Sequence, residues 1–230
     1  MCRFLIRSVA ILMLFLAPAN ATAISVFQSG LPGARGFAFF PFWQQVLTDM
    51  TTAEMRANMV HPQACTAERT CIPAAWTTFL DSIRKLAPRE QMDAVNKWAN
   101  ARPFVEDWVN WHVPDYWETP GEFLAHGGEC KDYAIIKYFS LVRLGFSPAD
   151  LRIVVVNDMN LKAFHAVLAV RNAGGVWLLD NQIAQVVPMD IAVQYAPIYS
   201  LNERDWWIHS VPRITVGNLT ITAGPVTANP

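Results

Sequence analysis

Residues 130–144 read CKDYAIIKYFSLVRL and put apolar side chains on most faces of a helix: Tyr133, Ala134, Ile135, Ile136, Phe139, Leu141 and Val142. A helix without a broad polar stripe needs cover on most sides, so it belongs at the centre of a fold, with Gly145 as its terminator. Immediately afterwards the period changes to that of strands. Residues 152–157, 163–171 and 176–181 are rich in Val and Leu and bounded by turn residues. The order is helices first and a sheet after, which predicts an α+β domain. Composition agrees: 53% of the 230 residues are hydrophobic and 16% charged, which excludes a disordered or coiled-coil chain. With 18 basic and 19 acidic side chains there is no basic stripe, so nucleic acid is not an expected partner.

Upstream, Trp76, Phe79, Leu80, Ile83 and Leu86 recur at helical spacing and predict an amphipathic helix over residues 75–87. Pro88 ends it and opens the next, whose buried side includes Met92, Val95 and Ala99. Thr119-Pro120-Gly121-Glu122 is a capping-box start for a short helix stopped by Gly127 and Gly128. Residues 24–43 read as an irregular or short-stranded lead-in, and residues 214–221 as one strand-like stretch in the tail.

Residues 1–23 have the three-part pattern of a secretory signal peptide: Arg3 and Arg7, an apolar run from Val9 to Ala17, then small residues ending in A-x-A options at Ala21 or Ala23. The apolar run is shorter than the roughly 20 residues of a spanning helix. Cleavage leaves a single expected domain over 24–230, with residues 24–74 an N-terminal extension and 75–212 its core. It removes Cys2 and leaves Cys65, Cys71 and Cys130. In an oxidising compartment Cys65 and Cys71 can close a small disulfide loop; a metal site using His61 lacks a fourth ligand. Cys130 is then the odd cysteine, either a reactive thiol or an intermolecular link.

The Gly-Gly-Glu-Cys turn sets Cys130 at the start of the buried helix, where N–H groups and the helix dipole favour a thiolate and can hold an oxyanion. The alternative is a buried structural thiol. The two glycines are expected to let a substrate backbone come close. His165 is the histidine that falls inside a strand, and the next strand ends in Asp180. If the two pair as a hairpin, a two-residue loop sets His165 opposite Asp180, and a four-residue loop sets Asp180 opposite Val167, diagonal to His165. Either register leaves both side chains on one face. Cys130, His165 and Asp180 thus make a candidate nucleophile, general base and orienting acid.

The runs DYWETPGEFLAHGGECKDYAIIKYFSLVRLGF, LRIVVVND, AFHAVLAV and WLLDN resemble the bacterial transglutaminase-like cysteine proteinases over about residues 75–210. The resemblance implies a papain-like α+β fold in which the Cys helix packs on an antiparallel sheet carrying His and Asp. It implies Cys130 as nucleophile, His165 as base and Asp180 as orienting acid. It also implies a periplasmic protease that clips a large surface adhesin under control of an inner-membrane cyclic-di-GMP receptor; separately, a monomer without an organic cofactor is expected. Acids flanking the nucleophile help bind calcium in that family. Glu129 retains one of them, but Lys131 stands where another acid is expected, which puts calcium in question. Lys131 itself is expected to be a solvated first-turn lysine, or else a cation favouring the thiolate. Trp117 is an oxyanion candidate by the same resemblance, and Trp206 and Trp207 are expected in packing or along a substrate groove. Two other functions share these features: acyl transfer to an amine by a transglutaminase or amidase, and a non-catalytic periplasmic binding module.

Overall fold

The computed structural model describes residues 26–27, 30–33, 36–59, 69–209, 213–216 and 219–222. The expected signal peptide, His61 and Cys65 lie outside the described residues. A two-residue strand β1 (Leu31–Pro32) precedes helices α1 (Pro41–Met59), α2 (Ala74–Ile83), α3 (Pro88–Asn100), α4 (Asp107–Trp111), α5 (Pro120–His126) and α6 (Cys130–Arg143). The strands follow: β2 (Leu151–Asp158), β3 (Ala163–Asn172), β4 (Gly175–Leu179), β5 (Val187–Pro188), β6 (Tyr195–Leu201) and β7 (Trp206–Ile208). Together with β1 they form a seven-stranded antiparallel sheet in the order β1-β7-β6-β2-β3-β4-β5. The tail, expected as one stretch, is two strands, β8 (Arg213–Val216) and β9 (Leu219–Thr222), paired with each other.

Local chemistry accounts for the helix boundaries. The Leu86 N–H bonds to the Ile83 carbonyl and closes a turn, so α2 stops four residues short of the expected end. Pro88 then forces Ala87 into extended backbone (φ −63°, ψ 152°) and starts α3, with Glu90 Oε2 accepting the Ala87 N–H at 3.0 Å. At α5 the Thr119 N–H donates to Glu122 Oε2 at 2.9 Å, the reciprocal half of the expected capping box. Helix α1 was not legible as a helix from its pattern, yet its Trp43, Val46 and Met50 sit in the main core.

The sheet sorts its side chains with the two-residue period of strands. Leu168 and Val170 of β3, with Leu179 of β4 and Ile153 of β2, face the helices and share a core with Trp76, Met92, Val95, Ile135 and Tyr138. Val167 and Ala169, with Val154, Val156 and Leu178, face the other way onto Met189, Ala192 and Tyr195. Helix α6 is buried from Cys130 through Leu141, as its apolar faces require, and the Trp76 indole N–H donates to Ser140 Oγ at 2.9 Å to join α2 to it. Among the described residues no helix is long and apolar enough to cross a membrane.

Candidate active site

Strands β3 and β4 pair with Leu168 opposite Leu179 and continue to Asn172 opposite Gly175. This is the register that sets Asp180 level with Val167. Its loop is shorter than the four residues expected, because Gly174 (φ +96°) and Gly175 (φ +142°) adopt left-handed backbone and let pairing run one step further. Asp180 follows the last residue of β4, and His165 lies two residues from Val167 on the same strand face. The two meet: His165 Nε2 is 2.8 Å from Asp180 Oδ1, with both residues buried.

Two more donors hold the carboxylate and a third holds the Asp180 backbone. The Tyr195 hydroxyl donates to Asp180 Oδ2 at 2.6 Å, the Gln182 N–H to Oδ1 at 2.8 Å, and Asn100 Nδ2 to the Asp180 carbonyl at 2.7 Å. Burial pushes Asp180 upward, but the bond and charge of His165, with the Gln182 and Tyr195 donors, outweigh it and hold the acid below the usual carboxylate range. An ionised Asp180 accepts the Nε2 proton of His165, so the basic lone pair of the ring belongs to Nδ1. Gln182 Nε2 lies 3.3 Å from Nδ1 and can donate to it.

Cys130 is the first residue of α6, following the extended Glu129, and is buried against Val155, Ala166 and Ile198. Ala166 is the neighbour of His165 along β3, and Val155 is the cross-strand partner of Ala166. Ile198 reaches this cluster through a bulge: β2 pairs Val155 with Tyr199 but Val156 with Pro197, which leaves Ile198 as the extra residue. Two expectations are corrected. Neither Cys71 nor Cys130 is a free thiol among the described residues, so Cys130 is not the leftover sulfur that counting suggested; bonding follows proximity in the fold, which spacing along the chain does not encode. The expected Cys65–Cys71 pairing lies outside the described residues. The glycine pair is also enclosed by the protein itself. A Cβ on Gly127 would stand 2.3 Å from the Pro103 carbonyl, and one on Gly128 would stand 2.7 Å from Glu118 Oε2 and 2.9 Å from Asp132. These glycines admit internal neighbours and not a substrate backbone.

Beside this turn lies a group of buried acids: Asp107, Asp115, Glu118, Glu129 and Asp132. Lys131 is among them and fully buried, contrary to the solvated position expected of it. Its Nζ is 2.9 and 3.0 Å from the two oxygens of Asp107, 3.2 Å from Asp132 Oδ2 and 3.7 Å from Glu129 Oε2. Burial alone would lower the ammonium, but Asp132, Asp107 and Glu129 raise it above its ordinary range. Backbone bonds knit the cluster: the Asp107 N–H donates to Glu129 Oε1, the Tyr116 N–H to Asp107 Oδ2, and the Glu118 and Glu129 N–H groups to Asp132. Burial and the nearby acids push Asp115 up to about 7 against the pull of Lys131. Glu118 is held high by burial and then by Asp132, against bonds from Trp111 and Asn110.

A cysteine at a helix start packed on a sheet with a His–Asp pair suits papain-like enzymes at large, and the sequence profile decides among them. The sequence profile of the bacterial transglutaminase-like cysteine proteinases (BTLCP) matches residues 54–210. The chain belongs to this family.

The proteinase is similar to solved structures of LapG from Legionella pneumophila. The calcium-bound form shares 27% identity over 74% of this chain and 94% of that one, with a TM-score of 0.55. A second LapG structure shares 28% over 71% and 87%, with a TM-score of 0.54. The EGTA-treated form shares 26% over 77% and 90%, also at 0.54. No curated protein matches the chain. Family and fold together make this a cysteine peptidase of the transglutaminase-like type.

Other residues singled out in the sequence have separate places in the proteinase. Trp117 lies in the main core, its ring 6.3 Å from that of Trp43. Trp206 packs edge-on against Phe39 and Phe40, and Trp207 lies under the Arg152 guanidinium. His126 contacts the Trp111 ring, His209 bonds Ser200 and exposed His112 sits at the end of α4. Gln182 and Tyr195 were missed. Gln182 stands two residues past Asp180, a spacing that could have flagged it; Tyr195 is 15 residues away and only the fold delivers it.

Proposed function

We propose that this proteinase is an exported endopeptidase with Cys130 as nucleophile, His165 as general base and Asp180 as the acid that orients the base. The observation that carries the reading is the buried 2.8 Å contact of His165 with Asp180, beside a helix whose first residue is Cys130. His165 Nδ1 takes the proton of the reduced Cys130 thiol, and the thiolate attacks the scissile carbonyl. N–H dipoles at the start of α6 hold the developing oxyanion. The imidazolium returns the proton to the amine leaving group, and water, deprotonated by His165, hydrolyses the acyl-enzyme.

The N-terminal pattern of residues 1–23 supports export and a periplasmic site of action. Family membership supports a protein substrate. The resemblance favours a large surface adhesin as that substrate, with an inner-membrane cyclic-di-GMP receptor as regulator. Calcium is the metal named for LapG. It requires six to eight oxygens around an open centre, and here an ammonium lies against the carboxylates that would supply them. Among the described residues no group of three or more His, Cys, Asp or Glu side chains is arranged to hold a metal ion. The residues present do not fit calcium, and no step of the mechanism passes through it.

The test is alkylation and hydrolysis under a thiol reductant. Iodoacetamide should label Cys130 in the wild type, and Cys130→Ala should abolish both labelling at that site and peptide hydrolysis. Labelling at an unchanged rate in a folded His165→Ala, Asp180→Ala double variant would sink the activated-thiol reading. Comparing surface and released proteins of cells with and without the gene identifies the substrate as the large protein that stays attached in its absence.

A further inference from the structure

Five carboxylates, from Asp107, Asp115, Glu118, Glu129 and Asp132, are buried together around the turn that leads into α6. They come from three places in the chain: the start of α4, the segment before α5 and the first turn of α6. Buried acids converging in this way require positive charge beside those that stay ionised. Many oxygens drawn from separate segments is also the donor set by which proteins hold calcium.

Here the positive charge belongs to the chain. Lys131 is fully buried, and its Nζ touches both oxygens of Asp107 and one of Asp132, with Glu129 next nearest at 3.7 Å. The position is otherwise a poor one for a lysine. A cation in the first turn of a helix is opposed by the helix dipole, and a buried ammonium loses its hydration. The carboxylates offset both costs. Through them the ammonium joins the start of α4, the backbone of Tyr116 and Glu118, and the Glu129 turn into one unit.

We propose that the Lys131 ammonium is a built-in substitute for a divalent cation, holding the turn that carries Cys130 so that this proteinase keeps its fold without calcium. The proposal deepens the reading of the site but stands on the carboxylate cluster, so its test measures folding rather than proteolysis.

The mature protein, Lys131→Glu and Lys131→Gln are unfolded thermally in EGTA and in millimolar calcium chloride. The wild-type midpoint is expected to be the same in both. Lys131→Glu, which exchanges the cation for another oxygen donor, is expected to unfold at lower temperature in EGTA. At about a hundred times its Kd, calcium should then raise its midpoint by about 5–10 °C. If Lys131→Glu does not fold even in calcium, Lys131→Gln decides by the same comparison. A calcium response confined to the Lys131 variants supports the proposal. A calcium response in the wild type, or its absence from every variant that folds, overturns it. If neither variant folds in calcium, the proposal is likewise overturned, since calcium then cannot take the ammonium's place. Loss of hydrolysis alone would bear on Cys130, His165 and Asp180 and leave these midpoints unmoved.

Discussion

His165 Nε2 and Asp180 Oδ1 lie 2.8 Å apart across the β3–β4 hairpin, with Tyr195 donating to the other carboxylate oxygen at 2.6 Å. The acid therefore fixes which ring nitrogen carries the proton. Asp180→Asn should keep the shape but lose the charge that selects this tautomer. The expected outcome is a fall in kcat of about 10²–10⁴-fold, measured on a peptide substrate under reductant, with KM little changed.

Asp180 also contributes to acid stability. Its folded pKa is depressed, so the contribution is complete above the unfolded value of about 3.9 and is lost as pH falls through the lower folded value. Tyr195→Phe removes one of the donors that hold the acid down. Its acid-unfolding midpoint, followed by circular dichroism between pH 2 and 5, should move to higher pH than that of the wild type.

Lys137, on α6, is fully buried, and its Nζ has no hydrogen-bond partner among the described residues. Burial lowers it to about 7, against the attraction of Asp180. The unfolded chain binds this proton more tightly, so the penalty is full below the folded pKa of about 7. It fades as pH rises toward the unfolded value of about 10.4. Lys137→Met should raise the unfolding free energy at pH 6 by about 1–3 kcal/mol and by less at pH 10, as urea titrations at the two pH values would show.

Glu118 shows the opposite dependence. Burial, then Asp132, pushes it up to about 9, so it is a neutral acid at pH 7. Its raised folded value makes stability fall as pH climbs from about 4.3 toward 9. Glu118→Gln should cost less than about 1 kcal/mol at pH 6 and flatten that decline. A loss at pH 9 as large as that at pH 6 would show that Glu118 is ionised in the native state.

Much of this protein was written in local sequence. The α5 capping box, the Pro88 helix start, the all-round apolar α6 and the alternation along β3 each depend on neighbours within a few residues, and each stands where the pattern set it. The pairing of His165 with Asp180 was legible for the same reason: a hairpin keeps two residues on one face in either available register. The fold decided what rested on distant partners. Lys131 looked like a solvated lysine because Asp107, which cancels the cost of burying it, is 24 residues away. Tyr195 reaches Asp180 only once β6 has crossed to the far side of β2. Local propensity can place a backbone turn, but a buried charge is tolerable only where several separate segments bring it opposite charges, and that convergence exists only in the folded molecule.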